Sequence, residues 1–336
     1  MPFRDITGHD QLKALLARAA TRGTLPPSLI FAGPSGVGKR MAAIALAELV
    51  NCLSPVADDN SGADACGTCA SCRRIARRVH ADVVIVEPGE TGAIKIEQIR
   101  EVIERAAYRP FEGRRRVVVI DDAEQIVPAA QDALLKTLEE PPPGTTLVLV
   151  TAVPETLLST IRSRCQRLRL GRLSPGEVAG VLMQTHGHSE SEAYAAAAFS
   201  DGSIGRALEG SSEEFLEARG AALQLLESIA DLPPPARRMM AAGGLPGAGR
   251  SKADRDALAQ SLRALATILR DLGILGAEAD ARSLANADLQ KKLERLLRSF
   301  DRDRILNAFT AVDRALDALN RNGSPKIVAD WLAFQI

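Results

Sequence analysis

Ser28-Leu29-Ile30-Phe31-Ala32-Gly33-Pro34-Ser35-Gly36-Val37-Gly38-Lys39-Arg40 decides the fold. Its first five residues form a short apolar strand that runs straight into glycines. Met41 to Val50 follow as an alanine-rich helix. Strand, Gly-rich turn and helix in that order are the setting of a phosphate-binding P-loop. Gly33, Gly36 and Gly38, with Ser35 among them, let backbone N–H groups turn inward around phosphate oxygens. The helix N-terminus adds its positive dipole end. Lys39 is placed to reach the β- and γ-phosphates of ATP. One position departs from the pattern. The residue after the lysine is ordinarily Ser or Thr, whose hydroxyl ligates Mg²⁺. Arg40 stands there instead, and a guanidinium has no lone pair for a cation. The sequence therefore predicts phosphate binding with poor metal positioning.

Working outward, further short apolar strands are predicted at Val83–Val86, Val117–Ile120 and Leu147–Val150. Helical spacing is predicted over residues 9–22, over Ile94–Ala107, and through Leu134–Leu138 up to Pro141-Pro142-Pro143. Strands alternating with helices predict a mostly parallel sheet with helices on both faces. No strand pattern recurs after Leu170. Ser174 to about Glu227 reads as a small helical domain, and Pro233–Ser251, rich in Pro, Gly and Ala, as a linker or long loop. From Ala253 onward Leu, Ile and Ala recur at helical spacing. A chain of 336 residues is expected to hold two or three domains.

Val117-Val118-Val119-Ile120-Asp121-Asp122 is an apolar strand ending in two carboxylates, the form of a Walker B element. Asp121 would hold Mg²⁺ through water, and the next residue would polarise the attacking water. Most hydrolytic members have Glu at that second place. Asp122 is one methylene shorter, so its carboxylate falls about 1–1.5 Å back, and misplacement of that size costs about 10²-fold in rate. The alternative is that the pair caps the next helix.

Four of the five cysteines cluster as C-x13-C-x2-C-x2-C: Cys52, Cys66, Cys69 and Cys72. In a reducing compartment such a set reads as metal ligation before disulfides. Four thiolates suit a closed tetrahedral Zn²⁺ site of structural type. An iron–sulfur cluster and free thiols are the alternatives. The polar residues Ala57 to Asp64 are expected to bulge as a loop.

Composition narrows the function classes. Forty-two basic and 42 acidic side chains cancel, which rules out a whole-molecule basic field. Aromatics make up 3%, too few for base stacking to be a main mode of binding nucleic acid. No apolar run is long enough to span a bilayer, and Met1–Asp10 does not read as a secretory signal, so the cytoplasm is the expected compartment. The runs Arg73-Arg74, Arg77-Arg78 and Arg114-Arg115-Arg116 are expected to be solvated faces.

Leu135-Lys136-Thr137-Leu138-Glu139-Glu140-Pro141-Pro142 resembles the signature stretch of clamp-loader subunits of the AAA+ class, and Ile161-Arg162-Ser163-Arg164-Cys165 resembles their Ser-Arg-Cys motif. The P-loop, the cysteine module, the acidic strand end and Ser-Arg-Cys fall in the family's order. The resemblance covers roughly residues 5–210 well. Within the family, Gly202-Ser203-Ile204-Gly205-Arg206-Ala207-Leu208 is similar to the sensor 2 region of the delta-prime branch. The resemblance implies that the cysteine module holds zinc. It implies that Arg164 is an arginine finger acting in a neighbour's ATP site, a role worth about 10³–10⁵ in rate. Thr151 falls at the sensor 1 position, with a locally satisfied strand-end hydroxyl as its alternative, and Arg206 at sensor 2. The fold implied is an α/β P-loop (RecA-like AAA+) domain over 1–170 carrying the module at 52–72. A helical lid over 171–228 and an all-α collar over 229–336 follow. The partners implied are the delta and gamma/tau clamp-loader subunits in a hetero-pentamer, with the sliding clamp and primed DNA reached through that complex. A P-loop kinase acting on nucleotides is a different class; the Leu135–Pro142 stretch and the second helical domain argue against it.

Overall fold

The structure is a computed structural model. It describes all residues except 58–61, 201, 210–212, 231–233, 250–251, 278–283 and 322. Two compact units make up the chain, Met1–Leu173 and Ser174–Ile336.

The first unit is built on a five-stranded, wholly parallel sheet. Its strands are β1 (Ser28–Ala32), β2 (Val83–Val86), β3 (Arg116–Ile120), β4 (Thr145–Thr151) and β5 (Gln166–Arg169), in the spatial order β2-β3-β4-β1-β5. The helices are α1 (Asp10–Thr21), α2 (Lys39–Asn51), α3 (Ala70–Ala76), α4 (Ile96–Ala106), α5 (Pro128–Glu139) and α6 (Ser159–Arg162). The central strands β1, β3 and β4 read as largely apolar runs because both faces are covered. Alternate residues point to opposite sides. Leu29, Phe31, Val117, Val119, Val148 and Val150 join a core with α1 and α2. Ile30, Val118, Ile120, Leu147 and Leu149 join the other core with α4 and α5. Ile99 and Val102 of α4 and Leu134 and Leu138 of α5 complete that second layer.

The expected strands fall where the sequence places them, and β4 extends to Thr151. β5 is an addition. Its four residues are Gln-Arg-Leu-Arg, largely exposed at the sheet edge beside β1, and no apolar run announces them. The cysteine module also contains α3, which begins between its third and fourth cysteines. At 58–61, the loop expected over Ala57–Asp64 lies outside the described residues.

The second unit is wholly helical among the described residues. Its helices are α7 (Pro175–His186), α8 (Glu190–Phe199), α9 (Ile204–Glu209), α10 (Glu213–Ile229), α11 (Pro235–Gly243), α12 (Lys252–Gly276), α13 (Gln290–Leu296), α14 (Arg302–Asn320) and α15 (Pro325–Gln335). Ser174 and Ser189 start α7 and α8 with capping boxes closed by Glu177 and Glu192. A core of Leu262, Leu265, Leu269 and Leu272 from α12 meets Phe300, Val312 and Leu332. α11 corrects the linker expected over Pro233–Ser251. Its Pro lies at the first helical turn, where a missing N–H costs nothing, and its glycines fall at or beyond the helix end. No described helix is long and apolar enough to cross a membrane.

Candidate functional site

The carboxyl ends of β1, β3 and β4 bring the predicted phosphate loop, acidic pair and Thr151 to one edge of the sheet, where open α/β sheets hold ligands. The loop packs closely on its neighbours. A Cβ at Gly33 would lie 2.1 Å from the Leu170 carbonyl oxygen, so only glycine fits there. Gly38, at φ 95°, is the N-cap of α2. The helix begins two residues earlier than expected, which places Lys39 and Arg40 in its first turn. Ser35 and Gly36 are exposed. The Lys39 side chain is buried, and its Nζ donates to the carbonyls of Gly33 (2.9 Å) and Pro34 (2.7 Å). His9 takes a left-handed conformation at φ 56°, and its Nε2 sits 3.0 Å from the Val37 carbonyl, behind the loop.

Arg40 determines the site's electrostatics. Its Nη1 lies 3.0 Å from Asp121 Oδ2, and its Nη2 pairs with the Glu87 carboxylate. Glu87 is shared, because Arg78 Nη1 also reaches it at 3.3 Å. Burial pushes the pKa of Asp121 up, and Arg40 only partly offsets this. Asp122 is raised as well, by burial and then by the neighbouring charge of Asp121. Asp122 sits at φ 47° and makes no side-chain bond to the short helix after it, so the capping alternative has no geometric support. Glu87 was missed in the sequence, although its signal was present: like Asp121, it is a carboxylate directly after an apolar strand.

Thr151 is buried at the end of β4, and its Oγ1 accepts the Val153 N–H at 3.1 Å, a local satisfaction. Arg164 is exposed and follows α6. Its Nη2 pairs with Glu139 Oε1 at 2.5 Å, and its Nη1 donates to the Thr160 carbonyl at 3.0 Å. Glu139 belongs to the Leu135–Pro142 stretch, so the two motifs meet on one surface. Arg206 lies in α9 of the second unit, half-buried, its backbone N–H bonded to Ser203 Oγ at 3.2 Å.

The Sγ atoms of Cys52, Cys66, Cys69 and Cys72 all lie within 4.8 Å of one another. A tetrahedral zinc with sulfurs about 2.3 Å away sets those sulfurs about 3.8 Å apart, so the set fits a metal ion. Backbone N–H groups donate to the sulfurs: Cys66 to Cys52 (3.3 Å), Cys69 to Cys66 (3.2 Å) and Cys72 to Cys69 (3.5 Å). Burial pushes the Cys66 thiol up, but the N–H groups of Thr68 and Cys69 outweigh it and bring its pKa to about 6. The module also ties down the start of the chain. Asp64 accepts from the N–H groups of Phe3 and Arg4 at 3.0 Å, and Arg4 donates to the Ala65 and Cys66 carbonyls. Cys165 is buried apart from this set, among apolar side chains that push its pKa up to about 12.

Arg116 corrects the expectation that Arg114-Arg115-Arg116 is a solvated face. It is buried, and it donates to Asp82 Oδ1 at 2.8 Å and to the carbonyl of Tyr108 at 2.9 Å. Asp82 also accepts the N–H groups of Phe111, Glu112 and Gly113, at 2.7–2.8 Å.

Residues 8–174 match the family model described as DNA polymerase III, delta subunit. The chain is 32% identical over 180 residues to DNA polymerase III subunit gamma/tau of Mycobacterium tuberculosis, covering 54% of this chain and 30% of that protein. It is 32% identical over 176 residues to subunit tau of Escherichia coli, covering 52% and 26%. It thus spans no more than a third of these relatives' length. Among solved structures, a gamma subunit-related protein of Thermotoga maritima superposes with a TM-score of 0.41 at 19% identity, over 84% of this chain and 90% of that one. The Holliday junction branch migration motor RuvB of the same organism gives 0.45 at 15%, over 98% and 86%. Residues 8–174 are thus a DNA polymerase III delta-type domain, homologous to the gamma/tau subunits of that polymerase.

Proposed function

We propose that this chain is the delta-prime subunit of a bacterial DNA polymerase III clamp loader, a stationary member that assists clamp loading without turning over ATP at a useful rate. The observation that carries this reading is the ion pair of Arg40 with Asp121. A cation built into the protein occupies the carboxylate that hydrolytic relatives keep for Mg²⁺, and Asp122 is too short for the Glu role. Gly33, Ser35, Gly36, Gly38 and Lys39 remain suited to cradling phosphates. In this reading Arg164 is the arginine finger for a neighbouring subunit's ATP, Thr151 and Arg206 are the sensor positions, and Cys52, Cys66, Cys69 and Cys72 hold a structural Zn²⁺ that stiffens the first domain. Residues 171–228 serve as lid and 229–336 as the collar that joins delta and gamma/tau subunits in a five-membered ring, through which the clamp and primed DNA are reached.

The test is the DNA-stimulated ATPase of the assembled loader with Arg164→Ala in this chain. The rate is expected to fall although this chain's own site is intact; an unchanged rate overturns the finger. A second reading, a gamma/tau-type motor, is favoured by the 32% identity to gamma/tau subunits and by Lys39. Rapid Mg²⁺-dependent turnover by the purified chain would select the motor.

A further inference from the structure

In a hydrolytic P-loop the divalent cation rests on a hydroxyl after the lysine and on a strand-end carboxylate, and it bridges the β- and γ-phosphate oxygens. Neither donor fits here. Arg40 replaces the hydroxyl and offers only N–H groups. The carboxylate of Asp121 already faces a guanidinium at 3.0 Å. The surrounding charges are also nearly balanced before any ion arrives, because Lys39, Arg40 and Arg78 stand against Glu87, Asp121, Asp122 and Glu124. Such a site has at most one negative charge in excess, a weak draw for a dication.

We propose that the phosphate loop binds a nucleoside triphosphate without a divalent cation, the Arg40 guanidinium supplying the positive charge that Mg²⁺ supplies elsewhere. This rests on reading Gly33–Lys39 as a nucleotide site. A guanidinium carries five N–H donors in a planar fork. Asp121 and Glu87 engage one nitrogen each, and donors remain for a phosphate oxygen beside Lys39 at the start of α2. Glu87 divides its charge between Arg40 and Arg78, which leaves Arg40 less than fully neutralised by that carboxylate. Held in place by Asp121, the guanidinium is already positioned when the triphosphate enters, and hydrogen bonds from a charged donor to phosphate are among the strong ones. A fixed guanidinium cannot leave with the product or exchange with solvent cations, so nucleotide affinity becomes independent of the free Mg²⁺ concentration.

The experiment is equilibrium binding of a ribose-labelled fluorescent ATP to the full-length chain, followed by anisotropy. The buffer is freed of divalent cations on a chelating resin, because a soluble chelator would strip metal from the four cysteines, and Mg²⁺ is then titrated back. The wild type is expected to bind equally with and without Mg²⁺, within about threefold. Arg40→Thr, which restores the hydroxyl, is expected to lose about tenfold or more in metal-free buffer and to recover when Mg²⁺ is added. Lys39→Ala is expected to lose binding in both buffers. Wild-type binding that is about tenfold tighter with Mg²⁺ overturns the inference and leaves the nucleotide site standing. Absence of wild-type binding in either buffer, or full binding by Lys39→Ala, overturns both. Should Arg40→Thr fail to fold, the wild-type comparison decides by itself.

Discussion

Asp82 is the residue on which the first unit's edge depends. Its carboxylate is fully buried and accepts three backbone N–H groups and the Arg116 guanidinium. Burial pushes its pKa up, but these donors outweigh burial and hold it at about 2, against an ordinary 3.8. A depressed pKa gives stability that is fully present above the ordinary value and is lost as pH falls through the folded one. The contribution is therefore complete above pH ~4, disappears toward pH ~2, and amounts to about 2 kcal/mol. Asp82→Ala leaves a buried guanidinium without its carboxylate and is expected to cost about 3–5 kcal/mol, read from the urea midpoint. It should also flatten the acid limb of the stability curve between those pH values; an acid limb as steep as wild type would mean that other carboxylates set it. This network was not legible in the sequence. Arg116 looked like one member of a charged run, and its partner lies 34 residues away in the turn just before β2, with nothing local to link them.

Among the elements, the cysteine module is the most exposed to test. The purified chain is expected to carry one zinc per molecule by elemental analysis. Cys69→Ser should lose it and lower the melting temperature of the first unit by roughly 10 °C or more. An unchanged melting curve in metal-free Cys69→Ser would reduce the module to four incidental thiols. The cysteine cluster and the strand–turn–helix order around Gly33–Lys39 were readable from sequence because each is local: spacing in one, residue order in the other. β1, β3 and β4 were readable because burial on both faces makes them continuous apolar runs. β5 failed that test for the same physical reason, since an exposed edge strand needs no apolar run. α11 was hidden by composition, its glycines and prolines marking the ends of a helix and not the body of a linker. The roles proposed for Thr151, Arg164 and Arg206 rest on resemblance, because a finger or sensor is defined by a neighbour or a ligand that spacing does not describe.

Over the whole molecule, two units each have their own buried core. Damage to one should therefore leave the other folded. In the second unit Phe300 is buried, with the Arg304 guanidinium 4.0 Å over its ring; the same guanidinium donates to the Ile229, Ala230 and Ser299 carbonyls and so ties α14 to the end of α10. Phe300→Ala is expected to cost about 3–5 kcal/mol there. Hydrogen exchange should speed up in α10, α12 and α14 and stay slow in β1, β3 and β4; equal acceleration in both units would contradict independent cores. A last consequence concerns the length of α2. It runs unbroken from Lys39 to Asn51, with the phosphate loop at one end and Cys52 directly beyond the other, a span of about 20 Å at about 1.5 Å per residue. Each residue turns a helix by about 100°, so one inserted or deleted residue would swing Cys52 a quarter-turn or more out of phase with the lysine. The helix is a ruler with a fixed number of divisions. Its interior can accept many apolar substitutions, whereas a single-codon change in its length would uncouple the two sites it joins.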